Sequence, residues 1–240
     1  MAGGEYAALS GLRARIEQLD RLAADIANVG TAGYKAERTT SVAAERPTFA
    51  AALQTAIDVA PGPGRADFRP GPLQPTGRDL DFAIDGRGFF VIETPAGPRY
   101  TRNGQFTRRA DGTLTTVDDL PVLGENGPLR LGPGPVTLDA DGTLRAGGLA
   151  AGRLRVVDFG DATMLAREGA GRFRAPDGVQ PEERPSAVIR ARSLEGSNVS
   201  LVERMAQLTE VARGFEALQR GISILMNEVD GKAIAEFGRR

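Results

Sequence analysis

Leu201, Met205, Leu208, Ala212, Phe215, Gln219, Ile222, Met226 and Val229 recur at alternating steps of four and three. That spacing keeps one seam of an α-helix turned toward a partner. All but Gln219 are apolar, Val202, Val211, Leu218 and Leu225 broaden the stripe, and Glu203, Arg204, Glu210, Arg213, Glu216 and Arg220 flank it. A helix is therefore predicted through residues 197–237. At the other end of the chain Leu9, Leu12, Ile16, Leu19, Ala23 and Ile26 follow the same rule, with Arg13, Arg15, Glu17, Asp20 and Arg21 mostly on the other faces. A run of about 40 helical residues spans roughly 60 Å, longer than a small domain, so such a helix needs a partner along most of its length. Periodicity fits a pair of core helices and an assembly element equally well.

Between these brackets the pattern changes. After Ile26, Asn28, Gly30 and Gly33 supply a helix stop and a second tight turn. Residues 36–60 are Ala-rich, with a short helix predicted near 49–57, and the Pro-Gly runs at 61–64 and 70–72 mark a linker. From there the texture is β. Leu80, Phe82 and Ile84 alternate with Asp81 and Ala83, and Asp85-Gly86-Arg87-Gly88 predicts a hairpin into residues 89–92. Turns then recur every eight to twelve residues or so, the rhythm of an antiparallel β domain. Ala-Asp-Gly-Thr-Leu occurs at 110–114 and again at 140–144, which reads as one hairpin turn used twice. Further strands are expected at 154–159, around Phe173 and at 188–190.

Composition narrows the function. Thirty Lys and Arg against thirty-one Asp and Glu leave a net charge of -1, which offers nucleic acid or an anionic membrane no global attraction. With no cysteine and no histidine, disulfides, thiolate metal sites and the commonest general base are excluded. No apolar run approaches a membrane span, and the N-terminus lacks the basic and apolar regions of a cleaved signal peptide. Only Lys35 and Lys232 among the basic residues are lysines.

One enzymatic pattern stands out. Leu138-Asp-Ala-Asp-Gly-Thr-Leu144 fits the nucleophile loop of haloacid-dehalogenase-type phosphatases, in which Asp139 would attack phosphorus and Asp141 serve as acid and base. That chemistry needs both residues just beyond a buried parallel strand, and a downstream lysine on the phosphate. Here only Val136-Thr-Leu138 precedes, Ala146-Gly-Gly148 follows, and the one downstream lysine is Lys232 in the striped helix. As a calcium loop the same stretch lacks the further acidic ligands, and Gly86-Arg-Gly88 is too short to cradle a phosphate.

The residues at 24–35, Ala-Asp-Ile-Ala-Asn-Val-Gly-Thr-Ala-Gly-Tyr-Lys, resemble the N-terminal signature of bacterial flagellar rod and hook proteins, with Ala24, Asp25 and Gly30 standing where the family has asparagine. The stretch 68–90, containing Pro-Leu-Gln-Pro-Thr-Gly77 and Asp85-Gly-Arg-Gly-Phe-Phe90, is similar to the family's central block. Tyr100-Thr-Arg-Asn-Gly-Gln-Phe106, Asp111-Gly-Thr-Leu114 and Leu194-Glu-Gly-Ser-Asn-Val199 with Glu203-Arg-Met205 continue the match in order, Arg204 replacing a glutamate.

The resemblance implies a structural axial subunit of the flagellar basal-body rod that is not an enzyme and takes no cofactor. The expected fold is α+β, with the N- and C-terminal helices paired as a coiled coil around an inserted antiparallel β domain. The expected divisions are 1–35 (helix and signature turn), 36–78 (linker), 79–190 (β domain) and 191–240 (C-terminal helix). The assembly interface is expected at Leu9, Leu12, Ile16, Leu19, Ile26, Asn28, Gly33, Leu201, Met205, Leu208, Phe215, Ile222, Met226 and Val229. Expected partners are other rod subunits, further copies of itself in a helical array, and the flagellar export apparatus, with neither nucleic acid nor membrane insertion. The place implied is the rod in the periplasm, reached without a cleaved signal. Within the family the short chain and the ending at 227–234 look most like the proximal rod subunit, a distal rod or hook-type subunit being the alternative.

Overall fold

The computed structural model describes residues 2–38, 64–139, 141–169, 171–183 and 187–237, and for residues 2–10, 222 and 224–237 the backbone alone. The helix expected near 49–57 lies outside the described residues. The chain divides into two compact units, one holding the terminal helices and the other formed by residues 28–38 and 65–199.

In the helical unit α1 (Ala2–Ala27) and α2 (Leu201–Phe237) lie in contact. Ser200 starts α2: its carbonyl accepts from Arg204 N–H at 3.0 Å, and its hydroxyl lies 3.5 Å from Glu203 N, the geometry of a capping residue with an acid in the first turn. Among the described side chains of this unit the buried apolar positions are Leu22 and Val211, beside which the buried Asp25 pairs with Arg204 at 3.0 Å. Arg15 extends along Gly214, where no side chain obstructs it. These contacts fall beside the expected seam. Ile16, Leu201 and Met205 are 46%, 39% and 53% exposed, while Leu12, Leu19, Ile26, Leu208 and Phe215 are half-buried. Leu22 and Asp25 each precede the seam positions Ala23 and Ile26 by one residue, a rotation of about 100° at 3.6 residues per turn. No helix among the described residues is long and apolar enough to cross a membrane.

In the β unit every described strand pairing is antiparallel. Its largest sheet has six strands in the order Ala166–Arg167, Arg172–Arg174, Gly97–Thr101, Phe89–Thr94, Val156–Asp158 and Glu182–Glu183. On one side Phe89, Tyr100, Phe159 and Phe173 pack with Phe68, edge to face, around Val91 and Val157. On the other, Phe82, Phe90 and Phe106 join Leu114, Val122, Leu144 and Leu154 in a second apolar cluster. Each buried ring contributes roughly 1.5 to 3 kcal/mol.

The hairpin expected at Asp85–Gly88 does not form. Strand Phe82–Asp85 pairs instead with Val188–Ala191, and Phe89–Thr94 joins the six-stranded sheet. Asp81, Phe82, Ala83 and Ile84 are all buried, so this strand has no solvated face, and Gly88 at φ 129° redirects the chain into another sheet. The repeated pentapeptide does make the same turn twice. Asp111 and Asp141 each accept from the threonine N–H two residues on, at 2.9 and 3.0 Å, ahead of glycines with φ 86°. The β unit also reaches past residues 79–190, taking in Glu37–Arg38, Arg65–Ala66, Leu73–Pro75 and Ser193–Glu195.

Candidate functional site

Four stretches far apart in sequence meet at one buried carboxylate, that of Glu195. The signature turn brings Lys35, whose ammonium donates to Glu195 Oε1 at 2.5 Å and to the carbonyl of Arg69 at 2.9 Å. The central block brings Gly71, whose N–H reaches the same Oε1 at 2.9 Å. The Tyr-Thr-Arg stretch brings Arg102, with Nε 3.4 Å from Glu195 Oε2, long for a hydrogen bond and therefore chiefly ionic. Arg102 also donates to the Gly86 carbonyl and lies over the Phe89 ring at 5.7 Å. The side chains of Lys35, Glu195 and Arg102 are 0%, 1% and 3% exposed.

Backbone and amide bonds hold the same crossing closed. Gly33 N–H donates to Glu195 O at 2.7 Å, and Asn198 N–H to Tyr34 O at 3.4 Å. Asn198 Oδ1 accepts from Ala36 N–H at 2.7 Å, while its Nδ2 donates to the carbonyls of Asp67 and Arg69 at 2.7 and 3.0 Å. The amide thus acts as acceptor and twofold donor to two other chain segments. Glycine is required where backbones touch: a Cβ on Gly33, whose φ is 69°, would sit 2.3 Å from Asn103 N, and one on Gly71 would sit 2.0 Å from the Gly196 carbonyl oxygen. Arg167 donates to the Lys35 carbonyl and covers the Tyr34 ring at 4.6 Å.

The electrostatics follow from burial. Desolvation lowers the Lys35 pKa from 10.5, outweighing the attraction and hydrogen bond of Glu195, and desolvation likewise lowers Arg102 against the pull of Glu195 and Asp158. At the rim, burial pushes Asp67 upward, but hydrogen bonds from Arg69 together with the charges of Arg38 and Arg69 hold it below the usual carboxylate range. For Lys35 the sign is unusual. Between its lowered folded value and 10.5 the unfolded chain keeps a proton that the folded chain has released, so stability rises with pH over that interval. We expect Lys35→Met to remove that rise, measured as urea midpoints from neutral pH to 10.5. The difference between the two chains isolates Lys35 from Tyr100, whose value burial raises and whose contribution therefore runs the opposite way.

A carboxylate enclosed by two cations and one backbone donor is a cross-link: its Oε1 accepts from Lys35 and Gly71, while its Oε2 meets Arg102 only as an ion. The phosphatase reading finds no support in the geometry of its two acids. Asp139 pairs with Arg145 at 2.6 Å and Asp141 closes the turn between Val136–Leu138 and Thr143–Ala146, which are antiparallel, where that chemistry requires the end of a parallel strand.

Of the positions expected at an assembly interface, Gly33 is buried in this crossing and Asn28 is half-buried beside it, its Oδ1 accepting from the Thr31 hydroxyl at 3.1 Å. Leu9, Ile222, Met226 and Val229 lie on α1 and α2, but their side chains fall outside the described residues. Sequence pattern alone does not single out Lys35, Arg102, Glu195 and Asn198 as site residues. The available signal was compositional: Lys35 is one of two lysines in a chain of twenty-eight arginines, and a compact ammonium fits where a planar fork does not.

The comparisons with known proteins agree with these motifs. The flagellar hook protein FlgE/F/G D1 domain family matches residues 83–146, and the flagellar basal body rod FlgEFG protein C-terminal family matches residues 190–232. The flagellar basal-body rod protein FlgF of Caulobacter vibrioides is 34% identical over 221 residues, covering 90% of each chain. FlgF of Rhizobium meliloti is 32% identical over 249 residues, covering 99% of each. The rod protein FlgG of Bacillus subtilis is 30% identical over 243 residues, 88% of this chain and 90% of that one. With identity of this order along nearly its whole length, the chain belongs to the flagellar basal-body rod protein family, as a structural component most like FlgF.

Proposed function

We propose that the chain is a subunit of the proximal rod that polymerises through α1 and α2, paired as a coiled coil, and transmits torque. In this reading Leu9, Leu12, Ile16, Leu19, Ile26, Leu201, Met205, Leu208, Phe215, Ile222, Met226 and Val229 meet helices of neighbouring subunits, and Asn28 and Gly33 set the turn that follows α1. The terminal helices, residues 2–27 and 201–237, are the assembly segments, and the β unit, residues 28–38 and 65–199, is the outward-facing domain. Its neighbours are other rod subunits and further copies of itself. It reaches the rod, in the periplasm, through the flagellar export apparatus.

The observation that carries this reading is the exposure of Ile16, Leu201 and Met205 on the expected seam while Leu22 and Val211 are buried beside it. Large apolar side chains repeated along a helix and left in water mark a surface with a further partner. The FlgG likeness at 30% identity favours a distal rod subunit as the second reading. An epitope inserted at Glu125-Asn126, an exposed turn, separates the two in basal bodies isolated from cells and imaged by immuno-electron microscopy. Label at the membrane-proximal end of the rod is expected. Label confined to the far end supports the distal reading, and unlabelled rods overturn both.

A further inference from the structure

We propose that Met205 is an oxidation-sensitive position on the assembly face, where conversion of its thioether to a sulfoxide prevents the free subunit from joining the rod. Of the chain's four methionines, Met164 and Met205 are the two whose side chains are described, and they are 51% and 53% exposed. Met164 ends the one-turn helix Ala162–Met164 of the β unit. Met205 lies one turn into α2, beside Leu201 and Val202, which are 39% and 81% exposed. Residues three and four apart on a helix are neighbours, so these three side chains form one apolar patch at the start of the seam. Sulfur is the atom in that patch that mild oxidants attack.

The chemistry needs only a peroxide. The sulfur lone pair attacks one peroxide oxygen, an S–O bond forms as the O–O bond breaks, and the departing hydroxide takes the proton left on the transferred oxygen and leaves as water. The sulfur loses two electrons and the peroxide gains them. A flexible apolar side chain becomes a polar one, and reductases return it to the thioether. Within a packed seam the new oxygen requires a hydrogen-bond donor. The polar side chains around it are engaged elsewhere: Arg204 pairs with Asp25 at 3.0 Å and donates to Gln207 Oε1 at 2.7 Å, Gln207 donates to Glu203 Oε1 at 3.3 Å, and the Thr209 hydroxyl donates to the Met205 carbonyl at 2.9 Å. In the free subunit water supplies the donor, and closing the seam removes that water.

This rests on the assembly role proposed for α2, and the test separates the two. Purified full-length chain and isolated rods are exposed to the same dilute hydrogen peroxide, and sulfoxide at each methionine is read by mass spectrometry. In the free chain Met164 and Met205, equally exposed, should oxidise at rates within about twofold of each other. In rods the Met205 rate should fall by about tenfold. Cells are then given Met205→Gln, which carries a polar oxygen on a chain of similar length, Met205→Leu, or Met164→Gln. The first should reduce the amount of subunit in isolated rods by about tenfold, and the other two should match wild type. At such exposed positions none of the three should shift the urea midpoint of the purified chain, so the loss is not one of folding. A free chain in which Met164 oxidises and Met205 does not overturns the proposal. So does a normal amount of Met205→Gln in rods, or an equal loss with Met205→Leu, which would make shape and not polarity the demand of the seam. Met205 protected in rods alongside either result leaves the assembly reading standing, whereas Met205 as reactive in rods as in the free chain overturns both.

Discussion

Glu195→Ala should cost the β unit about 3 to 5 kcal/mol, because it leaves the Lys35 and Arg102 charges buried with no anion between them. Folded domains are commonly stable by only about 5 to 15 kcal/mol, so the loss takes a large part of the total. Near-UV dichroism of the buried Tyr34 and Tyr100, followed through urea unfolding, reports on the unit that contains the cluster. The comparison is Arg190→Ala, which breaks the exposed Arg190–Asp85 pair at 2.7 Å and should cost no more than about 1 kcal/mol. Similar midpoints for the two variants would mean that the buried cluster is no more than a neutral feature of the fold.

Phe215→Asp should abolish incorporation of the subunit into the rod, and with it motility, while leaving the β unit folded. Phe215 is half-buried on α2, one turn beyond the buried Val211, and belongs to the helical unit. Truncating a packed aromatic costs about 3 to 5 kcal/mol, and a carboxylate in its place adds the penalty of burying a charge. Arg213→Ala, at an exposed position two residues away, should swim normally. Motility halos, rod isolation and the dichroism of the purified chain together decide the matter. Normal rods from Phe215→Asp, or loss of the β-unit signal, would show that this face of α2 is not what neighbouring subunits hold.

Local order was legible where local chemistry determines it. The two helices follow from period, and the two Asp-Gly-Thr-Leu turns from an aspartate able to bond the backbone two residues on. The Asp85–Gly88 hairpin failed because polarity alternates at Leu80–Ile84 while burial does not: Asp81 and Ala83 are as enclosed as Phe82 and Ile84. The burial of Leu22 and Val211 beside the seam shows the limit of heptad reading, which supplies a broad stripe but not the angle at which one chain's own helices settle within it. The charge cluster escaped because its members are separated by up to 160 residues, and each alone resembles an ordinary surface charge. Sequence pattern marks Gly33 for a turn, whereas the demand on it comes from the Asn103 backbone 2.3 Å from where its side chain would begin.

The separation between Lys35 and Glu195 also sets a timetable. Bringing together residues 160 apart carries a loop-closure cost that no nearby contact offsets, and folds dominated by such distant pairings close slowly. Synthesis proceeds from the N-terminus, so Lys35 is made 160 residues before Glu195. The signature turn must wait for all of them before its lysine meets the carboxylate of Glu195. Until then the β unit lacks its final staple.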